Sequence, residues 1–348
     1  MRRTLPLIVL TVLVLATIGA AQTYTITDLG TIGGNLSYAT GVNNAGQVVG
    51  SSYISKQNGI YHGFIWTAAT GLQDLGTLGG NNSYANGINN AGQVVGCSDI
   101  STNNTIPGHA FLWTQAGGMQ DLGTLGNGSC ATGINDAGQV IGLFTVNSNF
   151  DNHAFIWSAS TGMVDLGVPV SSNTYAASIN NSGMVVGTYY TSTGGNHGFL
   201  WTQTGGVQDL GNLGVQEVSA GGINDFGEVV GSSEVAPQNA DLYAGFRWTA
   251  TGGMKRLPSP YPKSDAGASA INASGEIVGS GSTSKILPRA IVWLTPTSVH
   301  DLNTLTVSSP MILERASALN SVGQIVGVGK IKSNPALSHA YLATPTGK

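Results

Sequence analysis

Three tyrosines, Tyr38, Tyr84 and Tyr175, stand at one register of this chain, five residues before an asparagine that recurs along its length. In the other copies the same register reads Cys130, Ser219, Gly267 and Arg315. Tyrosine offers a flat apolar face and a polar tip, which suits sugar rings and peptides alike. On the face expected to carry the variable loops and these tyrosines are polar residues that belong to no repeat: Asn81, Asn82, Asp99, Asp151, Glu217, Glu234, Asp265, Glu314 and Arg315. Such a set supports two kinds of chemistry. One is ligand binding, with tyrosine as platform and Tyr38, Tyr84, Tyr175, Arg315, Glu314, Glu217, Asp265, Asn81 and Asn82 as contacts. The other is glycoside hydrolysis or lyase chemistry, which needs paired carboxylates about the reacting bond. Glu217, Asp265 and Glu314 are the candidates, but nothing in their spacing requires a pair. No nucleophile elbow, P-loop, dinucleotide fingerprint or metal motif occurs. The expectation is therefore a binding protein, with no catalytic residue, cofactor or metal assigned.

Other reactive residue types recur too regularly to mark one site. His62, His109, His153, His197 and His339 share a register, as do Asp28, Asp74, Asp121, Asp165, Asp209 and Asp301. A residue that appears once per unit serves a task done once per unit. For Asp and Asn that task is turn capping, and for His a hydrogen bond at the start of a buried strand. The repeated turn lacks the alternating carboxylates of a calcium loop.

These residues are positioned by seven copies of one phrase. It reads VNNAGQVVG (Val42–Gly50), INNAGQVVG (Ile88–Gly96), INDAGQVIG (Ile134–Gly142), INNSGMVVG (Ile179–Gly187), INDFGEVVG (Ile223–Gly231), INASGEIVG (Ile271–Gly279) and LNSVGQIVG (Leu319–Gly327). The repeated asparagines are Asn43, Asn89, Asn135, Asn180, Asn224, Asn272 and Asn320, so the period is about 46 residues. A period in the forties built of strand-like phrases marks propeller blades. Each unit has four strand phrases, exemplified by YANGIN (Tyr84–Asn89), GQVVG (Gly92–Gly96), HAFLW (His109–Trp113) and MQDLG (Met119–Gly123). Two hairpins in series give a four-stranded meander. Strand one is poor in bulk and suits the crowded axis. Strand three carries Phe64/Trp66, Phe111/Trp113, Phe155/Trp157, Phe199/Trp201, Phe246/Trp248 and Ile291/Trp293, the expected inter-blade core. The seventh unit stops at HAYLA (His339–Ala343), while YTITDLG (Tyr24–Gly30) is a fourth strand with no unit before it. The N-terminal strand should complete the last blade, removing exposed edges. The fold expected is an all-β, seven-bladed β-propeller.

At these phrases the chain resembles the HAF-repeat family of probable extracellular bacterial proteins. The matching motif is HAF-x-W or HGF-x-W followed by DLG, as in His109–Trp113 with Asp121-Leu122-Gly123, and His197–Trp201 with Asp209-Leu210-Gly211. Tyr24–Ala343 follows the pattern, most closely in units one to four. Unit five has Ala244 for the His and Lys255-Arg256-Leu257 for DLG, and unit six has Arg289 for the His. The resemblance implies a secreted, propeller-like repeat protein and no settled activity, so no catalytic residue is carried over.

The remaining features bound location and partners. Arg2 and Arg3, the apolar run Leu5–Ile18 and Gly19-Ala20-Ala21 read as a signal peptide over residues 1–21, leaving the propeller at 22–348. No second apolar span occurs, so no membrane association is expected after cleavage. The whole chain has net charge −4, with 13 basic and 17 acidic residues. From Gln22 to Ala240 Lys56 is the only basic residue, and apart from Arg2 and Arg3 the rest lie from Arg247 onward. Nucleic acid is not an expected partner, because phosphate binding needs clustered Lys and Arg. Cys97 and Cys130, the only cysteines, are a candidate disulfide in an oxidising compartment. The loops joining strands two and three differ in every copy, and with the stretches leading into strand one they hold nine of the eleven tyrosines. Variable loops on one face of a rigid scaffold suit a binding surface. The reading is a monomeric, secreted binding module for an extracellular polysaccharide or surface protein. The alternatives are a carbohydrate-active hydrolase or lyase and an extracellular scaffold.

Overall fold

The computed structural model describes residues 22–346, except 57–58, 103–107, 148–150, 169–172, 193, 216, 236–242, 262–263, 284 and 286. The signal-peptide reading falls on 1–21, outside the described residues. The chain forms seven four-stranded sheets, each an antiparallel meander. Blade one runs Ser37–Val42, Val48–Tyr53, Tyr61–Thr67 and Gly71–Asp74. Blade seven takes Met311–Leu319, Ile325–Ile331 and Ser338–Thr346, and its outer strand is Thr23–Gly30 from the other end of the chain. Ile26 faces Ala343 and Thr23 faces Thr346 across that antiparallel pair. The expected ring closure is therefore present.

The repeated glycines have steric causes. Gly46 sits in the turn between strands one and two at φ +75°, where an L side chain is strained. Gly50 faces a bulge in strand one, and a Cβ there would lie 1.9 Å from the carbonyl oxygen of Tyr38. Only glycine lets the two inner strands approach that closely.

The core lies between blades. Phe111 of blade two packs against Val49, Ile65 and Leu75 of blade one. The five phenylalanines of this row, Phe64, Phe111, Phe155, Phe199 and Phe246, are 0% exposed. The tryptophan row packs on the same inter-blade clusters but is less deeply buried. Trp248 and Trp293 are buried, but Trp66, Trp113, Trp157 and Trp201 are half-buried. Each of these four is the second-last residue of strand three, beside the short turn.

The recurrent polar residues staple the ring. Asn43 Oδ1 accepts from the amides of Ala45 and Gln47, capping its turn. Its Nδ2 donates to the carbonyl of Asn89 at 3.1 Å in the next blade. The same inter-blade bond recurs from Asn89, Asn135, Asn180, Asn224, Asn272 and Asn320. Each histidine of the repeat ties strand three to strand four, as His62 Nδ1 to Asp74 at 2.8 Å and His339 Nδ1 to Asp28 at 2.9 Å. Blade five has lost both members of that pair, with Ala244 and Arg256 at the two registers.

Candidate functional site

The short turns and the variable loops occupy opposite faces of the disc. On the axis, two cavities of about 220 and 260 Å³ share a wall formed by Val42, Ile88, Ile134, Ile179, Ile223 and Ile271, and Leu319 lines the first of them. This apolar girdle lies between the two cavities. The mouth on the short-turn side is a hydrogen-bonded rim in which the Asn90 amide donates to Asp136 and the Asn181 amide to Asp225. The rim's backbone amides are held by side chains of the next blade, and the exposed tyrosines and non-repeat charges lie on the opposite, variable-loop face, the candidate site.

On that face, a cleft of about 500 Å³ opens where blade one meets blade seven. Tyr38 and Thr40 of blade one form one wall, and Glu314, Arg315 and Ser317 of blade seven the other, with Pro288 from the variable loop of blade six. The fold therefore brings together three residues singled out in the sequence, Tyr38, Glu314 and Arg315. Glu314 pairs with Lys330 of the neighbouring strand at 3.1 Å. Arg315 is exposed and makes no ion pair among the described residues.

Tyr38 also begins an aromatic cluster. Its hydroxyl is within hydrogen-bonding reach of Tyr61, whose ring lies 4.1 Å from Tyr53 and 5.5 Å from Tyr84. Tyr61 thus links Tyr38 of blade one to Tyr84 of blade two. Burial pushes the Tyr38 phenol above its ordinary value, and the charge of neighbouring Tyr53 adds to the rise. Tyr84 is raised by burial and then by Asp99. These phenols stay protonated and can donate hydrogen bonds at neutral pH. Beyond Tyr84 a notch of about 200 Å³ is lined by Cys97, Asp99, Gly128 and Cys130. A disulfide joins Cys97 on strand two of blade two to Cys130 on strand one of blade three. Cleft, tyrosine cluster and notch form a crescent from blade seven to blade three.

The other candidates lie outside the crescent or serve as braces. Tyr175 stands in blade four, edge-on to Tyr190 at 5.8 Å, and its hydroxyl accepts from Asn152 Nδ2 at 3.3 Å. The three-tyrosine rim is therefore split, two and one. Asn82 accepts from the amide of Tyr61 and donates to Asp99, so it buttresses the cluster from behind. Asn81 Nδ2 donates to the carbonyl of Thr102 at 3.4 Å. Asp265 accepts from the Tyr243 amide at 2.8 Å, tying blade six to blade five. Glu217 precedes strand one of blade five, and its carbonyl accepts from the Glu234 amide. Glu217, Asp265 and Glu314 thus occupy three successive blades, each within its own local structure.

The groove between blades three and four on the short-turn face was not singled out in the sequence. It measures about 630 Å³ and is lined by Trp157, Trp201, Met184, Val164, Gln139 and Thr161. One signal was available. The register that reads Gln47, Gln93, Gln139, Glu228, Glu276 and Gln324 holds Met184 in this unit alone.

No family model matches the chain. No curated protein matches it either. Its likeness is to solved propellers. The chain is similar to virginiamycin B lyase from Staphylococcus aureus, with TM-score 0.55 and 11% identity over 92% of this chain and 99% of that one. It is also similar to the propeller domain of the Trilobed protease from Pyrococcus furiosus, with TM-score 0.59 and 7% identity over 89% and 97%. Puromycin hydrolase gives TM-score 0.54 and 13% identity over 90% of this chain and 54% of that one. Identities this low establish a shared fold and no shared chemistry. The Pyrococcus propeller has an open velcro topology, whereas this ring is sealed by the pairing of Thr23–Gly30 with Ser338–Thr346. Among the described residues no helix is long and apolar enough to cross a membrane.

Proposed function

We propose that this protein is a secreted propeller module that binds an extracellular polysaccharide through its variable-loop face. The observation that carries the reading is the crescent of the cleft with Tyr38, the Tyr61–Tyr84 cluster and the notch by Cys130. An elongated site with aromatic platforms and protonated phenols suits a chain of sugar rings, each offering an apolar face and hydroxyls. The rigid ring presents these groups without an ordering cost on binding. A binding module is favoured over a hydrolase or lyase because Glu217, Asp265 and Glu314 are distributed over three blades, and Glu314 is held by Lys330. The test is a glycan-array screen of the mature protein beside a Tyr38→Ala/Tyr84→Ala variant. Binding to saccharides that the variant loses supports the reading. Absence of binding to any saccharide turns the assignment toward a protein partner or a scaffold.

A further inference from the structure

We propose that the cleft between blades one and seven takes the carboxylate of an acidic sugar, with Arg315 clamping the carboxylate and Tyr38 stacking on the ring. This rests on the reading of the variable-loop face as a glycan site and names the class of glycan.

The argument begins with charge. From Gln22 to Ala240 the chain has one basic residue, Lys56, so blades one to four offer almost nothing to an anion. The basic residues gather from Arg247 onward, and the cleft lies where that flank meets the tyrosines. Within the cleft the charges do not cancel. Glu314 is neutralised by Lys330 at 3.1 Å. Arg289, on the strand that follows Pro288, turns its guanidinium back to the carbonyls of Leu287 and Pro288. Arg315 is left as an exposed cation with no carboxylate partner among the described residues, beside a phenol that feels its charge. A guanidinium presents two parallel N–H donors that match the two oxygens of a carboxylate. A ligand that also fills the tyrosine wall must carry that carboxylate on a ring. A uronic acid residue within a polysaccharide has both features.

The experiment is affinity electrophoresis and calorimetry with polygalacturonate, neutral dextran and dextran sulfate as probes. The proteins compared are wild type, Arg315→Gln, Arg315→Lys and Tyr38→Ala. Arg315 is exposed, so both of its variants should fold, and near-ultraviolet circular dichroism checks this. The expected result is retention by polygalacturonate that weakens at least about tenfold in Arg315→Gln, the loss of one charge-assisted pair. Arg315→Lys should fall between, since it keeps the charge and loses the fork. Binding by the wild type should also weaken with salt, and the salt dependence should shrink in Arg315→Gln. Equal binding of polygalacturonate by wild type and Arg315→Gln overturns the proposal. Preference for dextran sulfate over polygalacturonate overturns the carboxylate assignment. Equal retention by neutral and acidic polymers, lost in Tyr38→Ala, overturns the acid specificity and leaves the glycan reading standing. Retention by none of the three overturns the proposal together with the reading it rests on.

Discussion

The side-chain amide of Asn320 donates to the carbonyl oxygen of Asn43 at 2.9 Å, across 277 residues of chain. It is the last link in a cycle of seven identical bonds, one per blade junction. Asn320 is 4% exposed, so its partners cannot turn to water once it is gone. Asn320→Ala removes this bond, the donation to Gln324 and the caps on Val322 and Gln324. An unsatisfied buried group costs about 1–3 kcal/mol, and a lost turn cap adds about 1 kcal/mol. Ser321→Ala removes the adjacent exposed bond to Asn44 and should stay within about 0.5 kcal/mol of wild type. Urea unfolding midpoints of the two variants check both values.

Closure by the N-terminal strand depends on Tyr24. Its ring is 1% exposed and packs with Val278, Val292, Leu302 and Leu305 at the junction of blades six and seven. Tyr24→Ala should destabilise the protein by about 3–5 kcal/mol, the usual range for deleting a buried aromatic. Because the lesion unseals the ring, amide exchange should rise across Ser338–Thr346 well before it rises in blade three. Uniform exchange in all blades would contradict the clasp.

The disulfide joins two blades over a sequence separation of 33 residues. Chain-entropy arguments give about 3–4 kcal/mol for a loop of that length. Cys97→Ser/Cys130→Ser should lower the melting temperature, and reductant should lower that of the wild type to the same value. A variant as stable as the oxidised wild type would show that neighbouring contacts already hold the junction.

Tyr189 and Asp209 give blade four a distinctive pH response. The Asp209 carboxyl is raised by burial, but the Gly211 amide, His197 and the Tyr189 hydroxyl outweigh this and hold it below the ordinary carboxylate value. Burial and the bond to Asp209 push Tyr189 up to about 12 from 10.0. A depressed carboxylate stabilises the fold above its unfolded value, near pH 4, and that contribution is lost as pH falls through the folded value. A raised phenol stabilises the fold fully below pH 10.0, and that contribution is lost between pH 10.0 and about 12. Tyr189→Phe should therefore flatten both limbs of the stability profile. Superimposable profiles of variant and wild type would contradict this coupling.

Much of the fold was legible because the repeat is nearly literal. Phrases such as Ile134–Gly142 fix strand, turn and glycine at once, and the unpaired Tyr24–Gly30 strand announced the closure. The Asn cycle was less visible. The sequence suggested a turn cap at Asn43, but the second bond of its side chain goes to Asn89, which only the curvature of the ring brings near. The site was legible in part. Tyr38, Glu314 and Arg315 meet because the ends of the chain meet, a consequence of ring closure. Tyr175 shares the register of Tyr38, yet it stands in blade four, three blades round the ring. Asn82 and Asp265 share residue types with ligand contacts, but each accepts from a backbone amide at a blade junction. The Trp157–Trp201 groove was hidden because a tryptophan at a repeated register reads as core. Trp157 and Trp201 do pack against inter-blade clusters, yet each keeps part of its surface in the groove.

The central claim is that the variable-loop face, and not the tryptophan groove, is the binding surface. It is tested most directly by comparing wild type, Tyr38→Ala/Tyr84→Ala and Trp157→Ala/Trp201→Ala in gels cast with acidic and neutral polysaccharides. The account predicts that the wild type is retarded, that the tyrosine variant migrates freely and that the tryptophan variant is retarded like the wild type. Free migration of the tryptophan variant with full retardation of the tyrosine variant would place the site on the opposite face and contradict the account.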